Sequence, residues 1–186
     1  MTTDNLFIPD NIPDSAKMLS SEKYAWLAYL LVVPILAIAY AGIVIRRPYV
    51  VGIAFNKIAF FIGVGLSIVF LVVHELIHAL CCPRDTTVFV YLTSSGIGCV
   101  PACGLKKNRY LLFALMPTIV LGVIPFIIWI CFPGMNVIIS SILFAFSIGS
   151  LSMCVGDIYN AFLAALKMTR RSVLVTSKTD IYYYNE

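Results

Sequence analysis

The sequence predicts an all-α polytopic membrane protein: four transmembrane helices, with a short membrane-surface β-hairpin between helices two and three. Three observations predict it. Of 186 residues, 61% are hydrophobic and only 12% charged, where a soluble domain carries roughly 25% charged residues. Four apolar runs each reach the ~20 residues that a helix needs to cross a ~30 Å hydrocarbon core. Lysines and arginines flank those runs, so the formal net charge of +4 reads as topology, with the lipid bilayer as partner and no nucleic acid. A soluble fold of this length would leave roughly 30% of its chain surface in water, too much for so apolar a composition. The cysteines at 81, 82, 99, 103, 131 and 154 form no CxxC pair and predict no disulfide framework.

Residues 1–23 hold Asp4, Asp10, Asp14, Pro9 and Pro13 with no early apolar core, unlike a secretory signal peptide. They read as a polar cytosolic lead-in to a single membrane domain, 24–166. The first helix, 24–45, stops at Arg46-Arg47-Pro48. The second, 58–80, carries His74, Glu75 and His78 and is closed by Cys82-Pro83. In 86–104 the β-branched and aromatic stretch Val88-Phe89-Val90-Tyr91-Leu92 precedes a Ser94-Ser95-Gly96 turn signal and a second apolar stretch, 97–100. This predicts the hairpin. The third helix, 110–132, contains Pro117 and Pro125. The fourth, 136–166, follows Pro133-Gly134 and is polar only at its serines, Asp157 and Asn160. Residues 167–186 form a basic cytosolic tail, surface decoration or a small strand pair, with no chemistry assigned.

Four spans place both termini on one side. With the termini inside, the cytosolic parts hold Lys17, Lys23, Arg84, Lys106, Lys107, Arg109, Lys167, Arg170, Arg171 and Lys178, and the outside holds Arg46, Arg47 and Lys57. The positive-inside rule then predicts a multi-pass membrane protein with both termini cytosolic. At 1.5 Å per residue, His74 lies ~24 Å down helix two and Asp157 ~31 Å down helix four, both near the cytosolic face.

His74-Glu75-Leu76-Ile77-His78 is an HExxH, whose i, i+4 spacing puts both imidazoles on one helix face with a glutamate beside them. The chain has two histidines and three glutamates in all, so chance placement of the pattern has a probability on the order of 10⁻⁴. An ionisable group at membrane depth costs at least ~2.5 kcal/mol and is held there by a partner or a task. These residues predict a zinc ion on His74 and His78, with a coordination position left for water. Bound zinc brings the pKa of that water to ~7, and Glu75 is the general base that takes its proton and passes it to the leaving amine. Another divalent ion would suit the same ligands, and Cys81 and Cys82 beside the motif are a soft-metal alternative.

The HELIH at the inner end of a membrane helix, the strand-like segment after it, Leu115-Met116-Pro117 opening a helix and Gly156-Asp157 in a late helix resemble the putative zincin peptidases. These are small bacterial membrane proteins related to the site-2 protease class of intramembrane zinc metalloproteases. The resemblance covers roughly 58–166. It implies His74 and His78 as ligands, Glu75 as general base and Asp157 as third ligand. Elimination leads to the same aspartate, since every acid other than Glu75 and Asp157 lies outside the spans. The alternative for Asp157 is pairing with Arg84 or Lys106 at the membrane edge.

The expected function is a zinc-dependent intramembrane or juxtamembrane peptidase acting on a membrane-protein or peptide substrate. An edge of the hairpin, with Val88, Val90 and Ile97, is expected to hold the unwound substrate by β-augmentation. The rival reading is a non-catalytic metal-binding membrane protein that recognises membrane segments. A prenyl-protein-type protease needs a later glutamate ligand, and the only one after Glu75 is Glu186. A metal transporter needs polar groups along several spans, whereas here they cluster at one depth.

Overall fold

The computed structural model describes residues 12–49, 55–93, 96–177 and 180–185. Asp4, Asp10, the Ser94-Ser95 turn, Lys178 and Glu186, on which the sequence reading also draws, lie outside them. The chain is mostly helical, with two small sheets. Its elements are β1 (Lys17–Ser20), a 3₁₀ stretch (Glu22–Leu31), α1 (Val32–Arg46), α2 (Lys57–Val69), α3 (Leu71–Cys81), β2 (Val88–Thr93), β3 (Gly96–Pro101), β4 (Leu105–Lys106), α4 (Lys107–Pro117), a π-helical turn (Thr118–Val123), α5 (Ile124–Cys131), α6 (Val137–Met153), α7 (Val155–Lys167), β5 (Ser172–Ser177) and β6 (Asp180–Asn185).

Two to four helices are long and apolar enough to cross a membrane. Lys23–Tyr49 and Lys107–Cys131 qualify outright, at 27 and 25 residues. The second absorbs Pro117 and Pro125 by widening into the π turn, because each proline removes a backbone donor from the ladder. The other two apolar runs, read from sequence as continuous helices, are bent pairs: α2 with α3 at 40° and α6 with α7 at 51°. Their hinge residues, Phe70 and Cys154, have ψ of 0° and 5°, and the Cys154 amide is shared between the carbonyls of Ser150 and Leu151. Neither hinge is a proline or glycine, which is why composition did not mark them.

Small residues let helices approach. A Cβ on Gly63 would stand 2.5 Å from the Ile142 carbonyl oxygen and 2.9 Å from the Ala145 Cβ, and one on Gly149 would overlap the Ser67 hydroxyl. Thus α2 and α6 pack backbone to backbone through four-residue spacings of small side chains on each helix. Arg46, counted above as a flanking charge, is buried. Its guanidinium donates to Ser140 Oγ at 2.8 Å and to the carbonyls of Phe132 and Pro133, capping the end of α5, and it stacks on Trp129.

The expected hairpin forms: β2 and β3 pair antiparallel from Val88↔Pro101 to Thr93↔Gly96. The structure builds the small strand pair offered for the tail, β5 with β6, into a four-stranded sheet in the order β1-β6-β5-β4 that the all-α reading did not contain. It joins residues from the lead-in to the tail, with Leu19, Leu105 and Leu174 buried beneath it. Strand pairing between segments some 160 residues apart leaves no local signature beyond short alternations such as Val173 and Val175.

Candidate metal centre

The helix α3 presents His74 and His78 from one face, one turn apart, and α7 presents Asp157 from its first turn. The two Nε2 atoms are 3.0 Å apart, Asp157 Oδ2 is 3.0 Å from His74 Nε2, and the same oxygen is 3.5 Å from His78 Nε2. His74, Glu75 and His78 are all buried, none more than 7% exposed. Straight-helix arithmetic leaves His74 and Asp157 roughly 7 Å apart in depth. The bends at Phe70 and Cys154 fall just before the two helices that bring them together.

The other ring nitrogens hold each imidazole in orientation. The Phe113 carbonyl can only accept, so His78 Nδ1 donates to it at 2.8 Å and Nε2 is left with its lone pair. The Phe113 ring stacks on His78 at 4.5 Å. His74 Nδ1 faces the thiol of Cys154 at 3.6 Å. Sequence reasoning placed the cysteine alternative at Cys81 and Cys82. These are buried with Tyr110 and Phe113 in the core instead, while Cys154, the hinge residue three positions before Asp157, joins the site. That three-residue spacing was the signal available.

Three electron-pair donors therefore converge, and the set suits a divalent metal. Tetrahedral ligands about 2.0–2.1 Å from zinc stand ~3.3 Å from one another; the edges here are 3.0, 3.0 and 3.5 Å. Glu75 sits just outside the triangle, with Oε1 4.0 Å from His74 Nε2 and Oε2 buried without a hydrogen-bond partner. Asp85, the other acid close to the motif in sequence, is exposed in the turn after α3.

These groups open onto a cavity of about 590 Å³. One wall is β3, from Gly98 to Pro101; others come from Tyr110 on α4, Tyr29 in the 3₁₀ stretch, and Leu174 and Ile181 of the four-stranded sheet. The hairpin thus reaches the site by β3. Val88 is half-buried on β2, Val90 is 60% exposed, and neither lines the cavity; Ile97 belongs to β3, paired with Leu92. Cys99 does line it, and burial, with the Glu75, Cys82 and Asp157 charges adding to it, pushes its thiol up to about 12. Burial likewise lifts Cys82 to about 11. Both are neutral thiols at physiological pH.

A model of the putative zincin peptidase family matches residues 67–172, more than half of the chain. The chain belongs to that family. Comparison with curated proteins and with solved structures returns no match. The family match runs from the end of α2 to the first residue of β5, so it takes in the HExxH helix, the hairpin, both sides of the metal cluster and most of the cavity. In this zincin-family protein the remaining walls, at Tyr29, Leu174 and Ile181, come from segments beyond the match.

Three basic side chains brace the same end of the molecule. Lys107 Nζ donates to the carbonyls of Ala165 and Met168 at the end of α7, Arg109 to that of Cys82 at the end of α3, and Lys167 to that of Leu19. Cations at helix C-termini satisfy the last carbonyls and oppose the helix dipole. They tie the two site-bearing helices to α4 and to the sheet.

Proposed function

We propose that this protein is a zinc-dependent peptidase of the site-2 protease kind, cutting a peptide within or beside the membrane at its cytosolic face. The observation that carries this reading is the convergence of His74 Nε2, His78 Nε2 and Asp157 Oδ2 beside the Glu75 carboxylate, whose Oε2 has no hydrogen-bond partner. His74, His78 and Asp157 would hold the ion, which supplies Lewis acidity to a substrate carbonyl and to a water. Glu75 takes the proton of the attacking water and delivers it to the leaving amine, so the carboxylate begins and ends the cycle ionised. Phe113 and Cys154 keep the imidazoles turned inward throughout.

A helical substrate hides its amides, so it must unwind before attack. The edge of β3 not paired with β2 borders the cavity, and an extended peptide laid along it gains main-chain hydrogen bonds. Ile97→Pro removes a backbone donor from β3 and is expected to cut turnover at least tenfold with zinc content unchanged; unaltered turnover excludes this mode of binding.

The four-span reading rests on the four apolar runs, and the cytosolic placement of both termini on the ten-to-three distribution of Lys and Arg. Metal analysis of detergent-purified protein tests the centre: zinc near one equivalent in the wild type and in Glu75→Gln, and little in His78→Ala. Peptide cleavage should be lost in both variants. A metal-binding recognition protein would instead behave identically with Glu75 or Gln at that position.

A further inference from the structure

Among the described residues five buried side-chain nitrogen or oxygen atoms have no hydrogen-bond partner: Arg46 Nε, Glu75 Oε2, Thr118 Oγ1, Ser150 Oγ and Asn160 Oδ1. Only Glu75 and Asn160 also line the cavity. The peptidase reading gives Glu75 a task and leaves Asn160 without one. Asn160 lies on α7 one turn beyond Asp157, and i, i+3 neighbours have their Cβ atoms about 5–6 Å apart on one helix face. It is therefore adjacent to the metal cluster and lines the same space. An asparagine in an apolar helix ordinarily satisfies its amide within the helix or across to a neighbour; here the oxygen is withdrawn from water and has no donor.

We infer that Asn160 is a substrate-binding residue whose side-chain oxygen accepts a backbone N–H of the peptide in the cavity. This rests on the peptidase reading above and adds to it a residue and a specific contact. A peptide paired along β3 directs alternate N–H groups toward that strand and away from it, and those directed away need an acceptor at the cavity walls. Asn160 provides one that is neutral. A carboxylate at this point would compete with Asp157 for the ion, whereas an amide oxygen binds the chain and leaves the metal to its own ligands.

The test uses the full-length zinc-loaded protein in detergent and the probe benzyloxycarbonyl-Leu-Leu-hydroxamate, whose hydroxamate chelates zinc and whose backbone enters the cavity. Analogues carry a methyl group on each backbone nitrogen in turn. In the wild type one of these methylations should weaken binding about tenfold, the effect of one lost hydrogen bond. In Asn160→Leu the same methylation should cost nothing further, with zinc content unchanged. Should the leucine variant fail to hold zinc, Asn160→Ala takes its place. Equal discrimination by wild type and Asn160→Leu overturns the inference. A zinc-replete wild type that does not bind the hydroxamate also overturns it. A wild type without zinc sinks the peptidase reading first, and this contact with it.

Discussion

At the scale of single residues, the site depends on how few ionisable groups the apolar helices contain. Two histidines and one aspartate converge beside Glu75, and each of the three has its orientation set by something nearby: a carbonyl for His78, a thiol for His74, the first turn of α7 for Asp157. Because Asp157 Oδ2 approaches both imidazoles, its loss should be felt by the metal and not only by the reaction. Asp157→Ala is expected to lower zinc affinity by more than the ~10–100-fold that losing a partner behind a ligand costs, while Asp85→Ala, out in the turn after α3, leaves zinc and cleavage as they were. Equilibrium dialysis against a zinc buffer measures both. Full zinc in Asp157→Ala with an empty site in Asp85→Ala would transfer the ligand role to Asp85.

At the scale of elements, the contact of α2 with α6 holds the upper parts of both bent pairs together, so that the lower parts, α3 and α7, can meet at the site. Gly63 and Gly65 separate the packing effect from the helix-propensity effect. A methyl group on Gly63 meets the Ile142 carbonyl at 2.5 Å, and one on Gly65 meets nothing within 4 Å. Gly63→Ala should therefore cost about 1–3 kcal/mol, as overpacking does. Gly65→Ala should be neutral or gain about 0.4–1 kcal/mol from the reduced freedom of the unfolded chain. Thermal unfolding in detergent reads both. A fall in Gly65→Ala equal to that in Gly63→Ala would mean that the helices do not pack at Gly63.

At the scale of the whole molecule, one end carries the metal cluster, the cavity, both sheets and most of the basic side chains. The proposed topology puts that end in the cytosol. Single cysteines at Arg47 and Lys106, in a background lacking the native six, should label from opposite sides of the membrane. Both positions are exposed, and Lys106 serves better than its neighbour Lys107, whose ammonium caps α7. Labelling of position 106 from outside only would place the cavity on the outer face.

The helical, apolar character of the chain and the identity of its reactive residues were legible in the sequence, because both arise from local patterns. Hydropathy over about 20 residues marks a span, i, i+4 spacing puts two histidines on one face, and β-branched runs about a serine-glycine turn make a hairpin. Three features were decided only in three dimensions. The bends at Phe70 and Cys154 arise where neighbouring helices dictate direction, at residues with no helix-breaking tendency of their own. The four-stranded sheet joins β1 to β6 across the length of the chain, a pairing whose energy comes from the partner strand rather than from either segment. The buried orphan oxygen of Asn160 and the thiol of Cys154 gain their meaning from the cavity and the imidazole beside them. Each of the three depends on contacts between segments far apart in the chain, and the free energy of such contacts belongs to the pair and is written in neither segment alone.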